Sequence, residues 1–102
     1  MCKRKKHLSF LISEMYCTCC GNKGIDIARR HGKYREPGHL KRLYCVHCKR
    51  EVNHVEIRPF YSDYNKQDFE LEMEYHNFDE NGERIIPYRI LRGNLKQKER
   101  YV

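Results

Sequence analysis

The chain has no tryptophan, no apolar stretch long enough to span a bilayer, and little hydrophobic material overall: 39% of its 102 residues are in the hydrophobic set and 34% are charged. Such a composition implies one small domain with a thin core, and a thin core calls for an added cross-link, either a metal or a disulfide. No secretory leader is recognisable either. The start, MCKRKKHLSFLISEM, sets a basic run before an apolar one. The apolar run is only Leu8 to Ile12, Ser9 interrupts it, Glu14 closes it, and no small-x-small cleavage pattern follows. A cytoplasmic, reducing location is therefore expected, where cysteines in C-x2-C pairs are metal ligands before they are disulfides.

Negative charge is scarce except in one block. Residues 1–60 carry 14 Lys and Arg against 5 Asp and Glu, residues 63–83 carry 1 against 8, and residues 84–102 carry 6 against 1. A plain nucleic-acid coat has little use for the acidic middle.

What the chain does have is six cysteines, three of them within YCTCCGNKG. Two C-x2-C pairs stand out, Cys17 with Cys20 and Cys45 with Cys48, each able to aim two thiolates at one point across a tight turn. Gly21 suits the left-handed conformation that ends such a turn. Cys19 breaks the frame and is expected to point away, and Cys2 lies in a basic tail. Between the pairs, IDIARR and HLKRLYC read as strands joined by HGKYREPG, and EVNHVEI reads as a third strand closed by Pro59. Knuckle, strand, loop, strand, knuckle, strand is the order of an antiparallel zinc ribbon. Four thiolates leave no open position for water, so the zinc is expected to be structural and the protein not an enzyme. Iron also suits four thiolates and stays an alternative.

In the second half, FELEMEY alternates Phe69, Leu71, Met73 and Tyr75 with Glu70, Glu72 and Glu74, which predicts a strand. Its Glu, Leu and Met also favour helix, so a helix over 63–77 is the alternative. The Asn81-Gly82 pair and RIIPYRIL then complete a C-terminal β-hairpin, with Pro87 at an edge. The expected fold is a mainly β, metal-stabilised domain. Residues 1–14 form a basic extension, ordered or not, 15–60 the zinc ribbon, and 61–102 the hairpin and basic tail packed on it.

The segment from Cys17 to Ile57, with CTCCGNKG, RRHGKYREPGHLKRLYC and CKREVNHVEI, resembles small zinc-ribbon proteins encoded by phages of Gram-positive bacteria, as does FDENGERIIPYRILRGNL. More narrowly, the chain looks like the anti-CRISPR proteins of streptococcal phages. That resemblance implies a protein acting in the host cytoplasm as an inhibitor that binds the type II RNA-guided endonuclease. The residues expected to meet such a partner are Glu70, Glu72 and Glu74 for charge pairing, with Phe60, Tyr61 and Tyr64 as anchors, although a solvated glutamate face and core aromatics explain them equally. Neither a membrane nor a small-molecule substrate is implied.

A nucleic-acid-binding ribbon is the alternative function. Arg29, Arg30, Lys33, Arg35, Lys41 and Arg42 cluster on the ribbon strands and their loop, with Tyr34 and Tyr44 interleaved for stacking. A nuclease using His54 or the His76-Asn77 pair is disfavoured, because no second cluster of metal ligands accompanies them.

Overall fold

The computed structural model describes residues 10–30, 38–58 and 63–100. Four strands, β1 (Phe10–Cys17), β2 (Ile27–Arg30), β3 (Leu40–Cys45) and β4 (Arg50–Ile57), are followed by two helices, α1 (Lys66–Glu74) and α2 (Tyr88–Arg100). The strands form one antiparallel sheet in the order β2-β1-β4-β3. β1 changes partner midway: Phe10 to Ser13 pair with β2, and Glu14 to Cys17 pair with β4. This switch curls the sheet. Phe10 to Glu14 thus belong to the sheet rather than to an extension, while residues 1–9 lie outside the described residues.

β1 escapes a pattern search because its inward residues are chemically mixed. Ser13, Met15 and Cys17, which share one face, are all fully buried, so burial does not follow an apolar alternation. β4 is buried on both faces from Val52 to Ile57, and Arg58 just after it is buried too. On one face, Val55 and Ile57 join Tyr16, Tyr64 and Phe69 in the main core, with Leu40, Met73, Phe78 and Tyr88 packed against it.

The C-terminal hairpin is not formed; the helix alternative for 63–77 is. Asn65 caps α1 by accepting from the Asp68 amide, and the Asp68 carboxylate accepts from the Asn65 amide in return, a complete capping box. The inward positions of α1 include Phe69, Glu72 and Met73, an i, i+3, i+4 set, so the helical period is present but its middle member is a glutamate. Counting Glu72 as an outward polar residue makes the segment look like a strand. After α1, the Asn81-Gly82 turn does form, and a single antiparallel bridge, Phe78 to Arg84, is all that remains of the expected ladder. Pro87 precedes a helix instead of sitting in an edge strand: its carbonyl accepts from the amides of Ile90 and Leu91 and so takes the first bonds of α2.

Gly82, at φ +78°, seats this turn on the sheet. A Cβ there would come within 2.8 Å of Thr18 Oγ1 and 3.0 Å of Asn53 Cβ. The Gly82 carbonyl accepts from Asn53 Nδ2 at 2.9 Å, and Thr18 Oγ1 donates to the Asn53 carbonyl at 2.9 Å. The turn is therefore fastened to β4 and to the first cysteine loop together.

Candidate metal centre and the charged clusters around it

Cys17 ends β1 and Cys45 ends β3, and each strand turns sharply at its cysteine. In the first turn the Gly21 amide donates to the Cys17 carbonyl at 2.9 Å, and in the second the Lys49 amide donates to the Cys45 carbonyl at 2.7 Å. Both turns close on a left-handed residue, Gly21 at φ +77° and Lys49 at φ +60°. The amides of Cys19 and Cys20 point at Cys17 Sγ, at 3.3 and 3.4 Å, and that of Cys48 at Cys45 Sγ, at 3.4 Å. Backbone donors aimed at sulfur favour the thiolate form, which is the form a metal binds.

The four sulfurs of Cys17, Cys20, Cys45 and Cys48 lie within 4.8 Å of one another. Cys17 and Cys48 are 3.8 Å apart and Cys20 and Cys45 are 3.6 Å apart. Four sulfurs placed tetrahedrally about 2.3 Å from a zinc-sized ion stand about 3.8 Å apart, whereas a disulfide needs about 2.05 Å. The cluster has metal-site dimensions, and the residues are those that the spacing selects. Cys19 lies outside it, exposed, with Arg50 Nη2 at 3.5 Å from its sulfur.

Two buried carboxylates organise the rest of the molecule. Glu56, fully buried on β4, accepts from Arg29 Nε at 3.0 Å and Arg29 Nη2 at 2.8 Å, from Arg58 Nε at 3.3 Å, and meets His39 Nε2 at 2.5 Å. Burial pushes this carboxyl up, but the His39 and Arg29 contacts outweigh it and hold the group well below the usual carboxylate range. Because Arg29 sits on β2 and Glu56 on β4, the pair reaches across β1 and draws the curled sheet together. His54, on the same strand, is fully buried with Nδ1 3.0 Å from the Val52 carbonyl, and burial lowers its pKa.

Glu72 is the second. It accepts from Tyr64 Oη at 2.5 Å, Asn77 Nδ2 at 2.7 Å, and Arg84 Nε and Nη2 at 2.7 and 2.9 Å. Arg84 also donates to the Gly38 carbonyl, and Asn77 clamps the backbone of Ile86 through both its amide groups. Burial and the neighbouring Glu72 push the Tyr64 phenol far up, so it stays a donor. The cluster ties α1, the approach to β3 and the approach to α2 into one unit.

These clusters redistribute the residues expected to bind partners. Glu70, Glu72 and Glu74 do not share a face: Glu72 is buried with Arg84, while Glu70 and Glu74 are exposed. Tyr64 is core, packed edge-on to Tyr88 at 5.3 Å, and not a surface anchor. Phe60 and Tyr61 lie outside the described residues, as do Lys33, Tyr34 and Arg35. Of the nucleic-acid set, Arg29 is consumed by Glu56, Arg42 is exposed beside Glu51 at 3.5 Å, Lys41 is half-buried, and Arg30 is placed only by its backbone at the end of β2. Arg29 therefore holds the sheet rather than a phosphate. His54 is sealed inside, and His76 is exposed at a left-handed position after α1.

Neither carboxylate cluster is legible in the chain, since Glu56 and Glu72 look like any outward residue of a polar segment. No family model, no curated protein and no solved structure matches the chain. Among the described residues, no helix is long and apolar enough to cross a membrane.

Proposed function

We propose that this is a non-catalytic zinc-ribbon protein of the host cytoplasm that binds a nucleic-acid-processing protein and inhibits it, with a type II RNA-guided endonuclease as the partner that the phage-protein resemblance implies. The carrying observation is where the acidic block ends up. Glu70 and Glu74 of α1 are exposed, as are Asp79, Glu80 and Glu83 of the following turn. Asp79 and Glu80 line an open cleft of about 270 Å³ between that turn and the first cysteine loop, together with Cys19, Arg50, Met73, His76 and Phe78 among others.

The surface is rigid at both edges. Gly82 and Asn53 fasten the turn to the sheet, and the Glu72 cluster fastens α1. A preordered surface loses less entropy on binding, and an acidic one complements the basic channels of a protein that handles nucleic acid. Zinc suits the four-thiolate set, and a coordination shell filled by protein supports a structural role. Glu56 and Glu72 are likewise saturated by donors, as fits a scaffold and not a reacting group.

The test is DNA cleavage by a purified guide-loaded type II endonuclease with the metal-loaded protein in excess. Inhibition is expected, and the combined substitutions Glu70→Lys, Glu74→Lys and Glu80→Lys should relieve it at least about tenfold by removing charge pairing across the interface. Capture from a host lysate before and after nuclease treatment broadens the search: a protein partner survives treatment. Undiminished cleavage together with captures that all vanish on nuclease treatment would refute the reading.

A further inference from the structure

Several cations outside α2 are held in ion pairs among the described residues. Arg29 and Arg58 are taken by Glu56, Arg84 by Glu72, Lys23 by Glu14 and Asp26, and Lys66 by Glu70. Arg89, Arg92 and Lys96 are exposed, and among the described residues none of them is in an ion pair.

Their spacing puts them on one side of the helix. Positions i, i+3 and i+7 fall within about 60° of one another around the axis and about 4.5 and 10.5 Å along it. Together with Asp63, Tyr88 and Gly93 they line a shallow groove of about 400 Å³. Gly93 leaves the backbone bare there, for a Cβ would meet nothing within 4 Å. Leu91 is buried and Leu95 half-buried on a different side, so α2 touches the body along one stripe. From Arg92 onward, positions 92, 93, 94 and 96 are all exposed, which leaves most of the circumference open.

We propose that this cationic face of α2 docks on the phosphate backbone of duplex nucleic acid, a site separate from the acidic surface described above and opposite to it in charge. A duplex carries one phosphate charge per about 1.7 Å of its axis, so the cation row spans several. The 13-residue helix is about 20 Å long, and a major groove about 12 Å wide admits an α-helix. An acidic peptide fits less well. Besides the Tyr88 ring, the side chains lining the groove are Asp63 and the three cations, with no aliphatic residue to seat a peptide's apolar anchors. Three cations against the single carboxylate of Asp63 leave the groove net positive.

The experiment is fluorescence anisotropy of a labelled 20-base-pair duplex of random sequence, roughly two helical turns, with the full metal-loaded chain, titrated over a range of sodium chloride. Binding that weakens steeply with salt is expected. The triple substitution Arg89→Gln, Arg92→Gln, Lys96→Gln should lower the slope of log affinity against log salt by about 3 and the affinity at low salt by at least about tenfold. All three positions are exposed, so circular dichroism and metal content should stay as in the parent. The charge-keeping set Arg89→Lys, Arg92→Lys should retain the parent slope, and so should Lys41→Gln, Arg42→Gln on β3. The proposal is overturned by a parent chain that fails to bind the duplex at low salt, by a triple variant with an unchanged slope, by a β3 variant that loses the slope instead, or by an oligoglutamate peptide that binds more tightly than the duplex.

Discussion

The sheet half and the helical half are held together by different chemistry. In the sheet half, four thiolates converge at one end and Glu56 gathers Arg29, His39 and Arg58, so both cross-links join strands to strands. In the helical half, Glu72 gathers Tyr64, Asn77 and Arg84, and Phe69, packed on Phe78, meets Tyr16 of the sheet. A 102-residue chain with no tryptophan supplements a thin core with buried charge as well as with a four-cysteine cluster that could hold a metal. The two cross-link types should fail separately, and that is how they can be told apart.

Removing the metal should have the largest effect. Structural zinc contributes on the order of 10–16 kcal/mol of apparent binding energy, comparable to the whole stability of a small domain. Treatment with a strong chelator should abolish the cooperative thermal transition, and restoring zinc should return it. A chelated chain that still melts cooperatively at the parent temperature would show that the cysteine cluster is dispensable.

Breaking the Glu72 cluster comes next. Arg84→Ala strands a buried carboxylate, and losing one partner of such a pair costs about 3–5 kcal/mol. Denaturant unfolding measures the loss. Metal content per chain is the second readout and should be unchanged, because neither cysteine turn depends on Arg84. Loss of metal from a still-folded Arg84 variant would merge the two halves into one.

Acid should act on the sheet half through Glu56. Its folded pKa is depressed below the ordinary 4.5, so it contributes stability above about pH 4.5 that is lost as pH falls toward the folded value. Melting temperature should therefore decline on acidification below that pH. Glu56→Gln should be less stable than the parent near neutrality and show a flatter profile in acid. An identical acid slope in parent and variant would remove Glu56 from the account.

The smallest effect tests the symmetry of the two knuckles. Lys49 holds the left-handed place that Gly21 holds in the first turn. A left-handed non-glycine residue costs roughly 1–2 kcal/mol, offset in part by the greater freedom of glycine when unfolded, so Lys49→Gly should stabilise by about 0.5–1 kcal/mol. A lower midpoint in urea would mean that the lysine side chain contributes more than its backbone costs.

The metal cluster was legible because its rule is local. Two C-x2-C pairs, each spanning one tight turn, are sufficient to nominate Cys17, Cys20, Cys45 and Cys48, and Gly21 marks where the first turn ends. The Asn81-Gly82 turn was legible for the same reason. β1 was not, because it closes the sheet with serine, methionine and cysteine where an apolar alternation is looked for. The helical state of α1 was legible only as the alternative to a strand, because Glu72 occupies its inward face.

The chain alone specifies the four cysteines that cluster, the positions of the turns and the three-block charge pattern, because each depends on residues a few places apart or on composition. Which charges are held inside and which face solvent follows from the fold. A glutamate can be buried only where a distant cation and several donors meet it, as Arg84 meets Glu72 twelve residues away and Arg29 meets Glu56 twenty-seven away. Whether such partners converge is a property of the fold, and it determines which glutamates and arginines remain free to bind anything else.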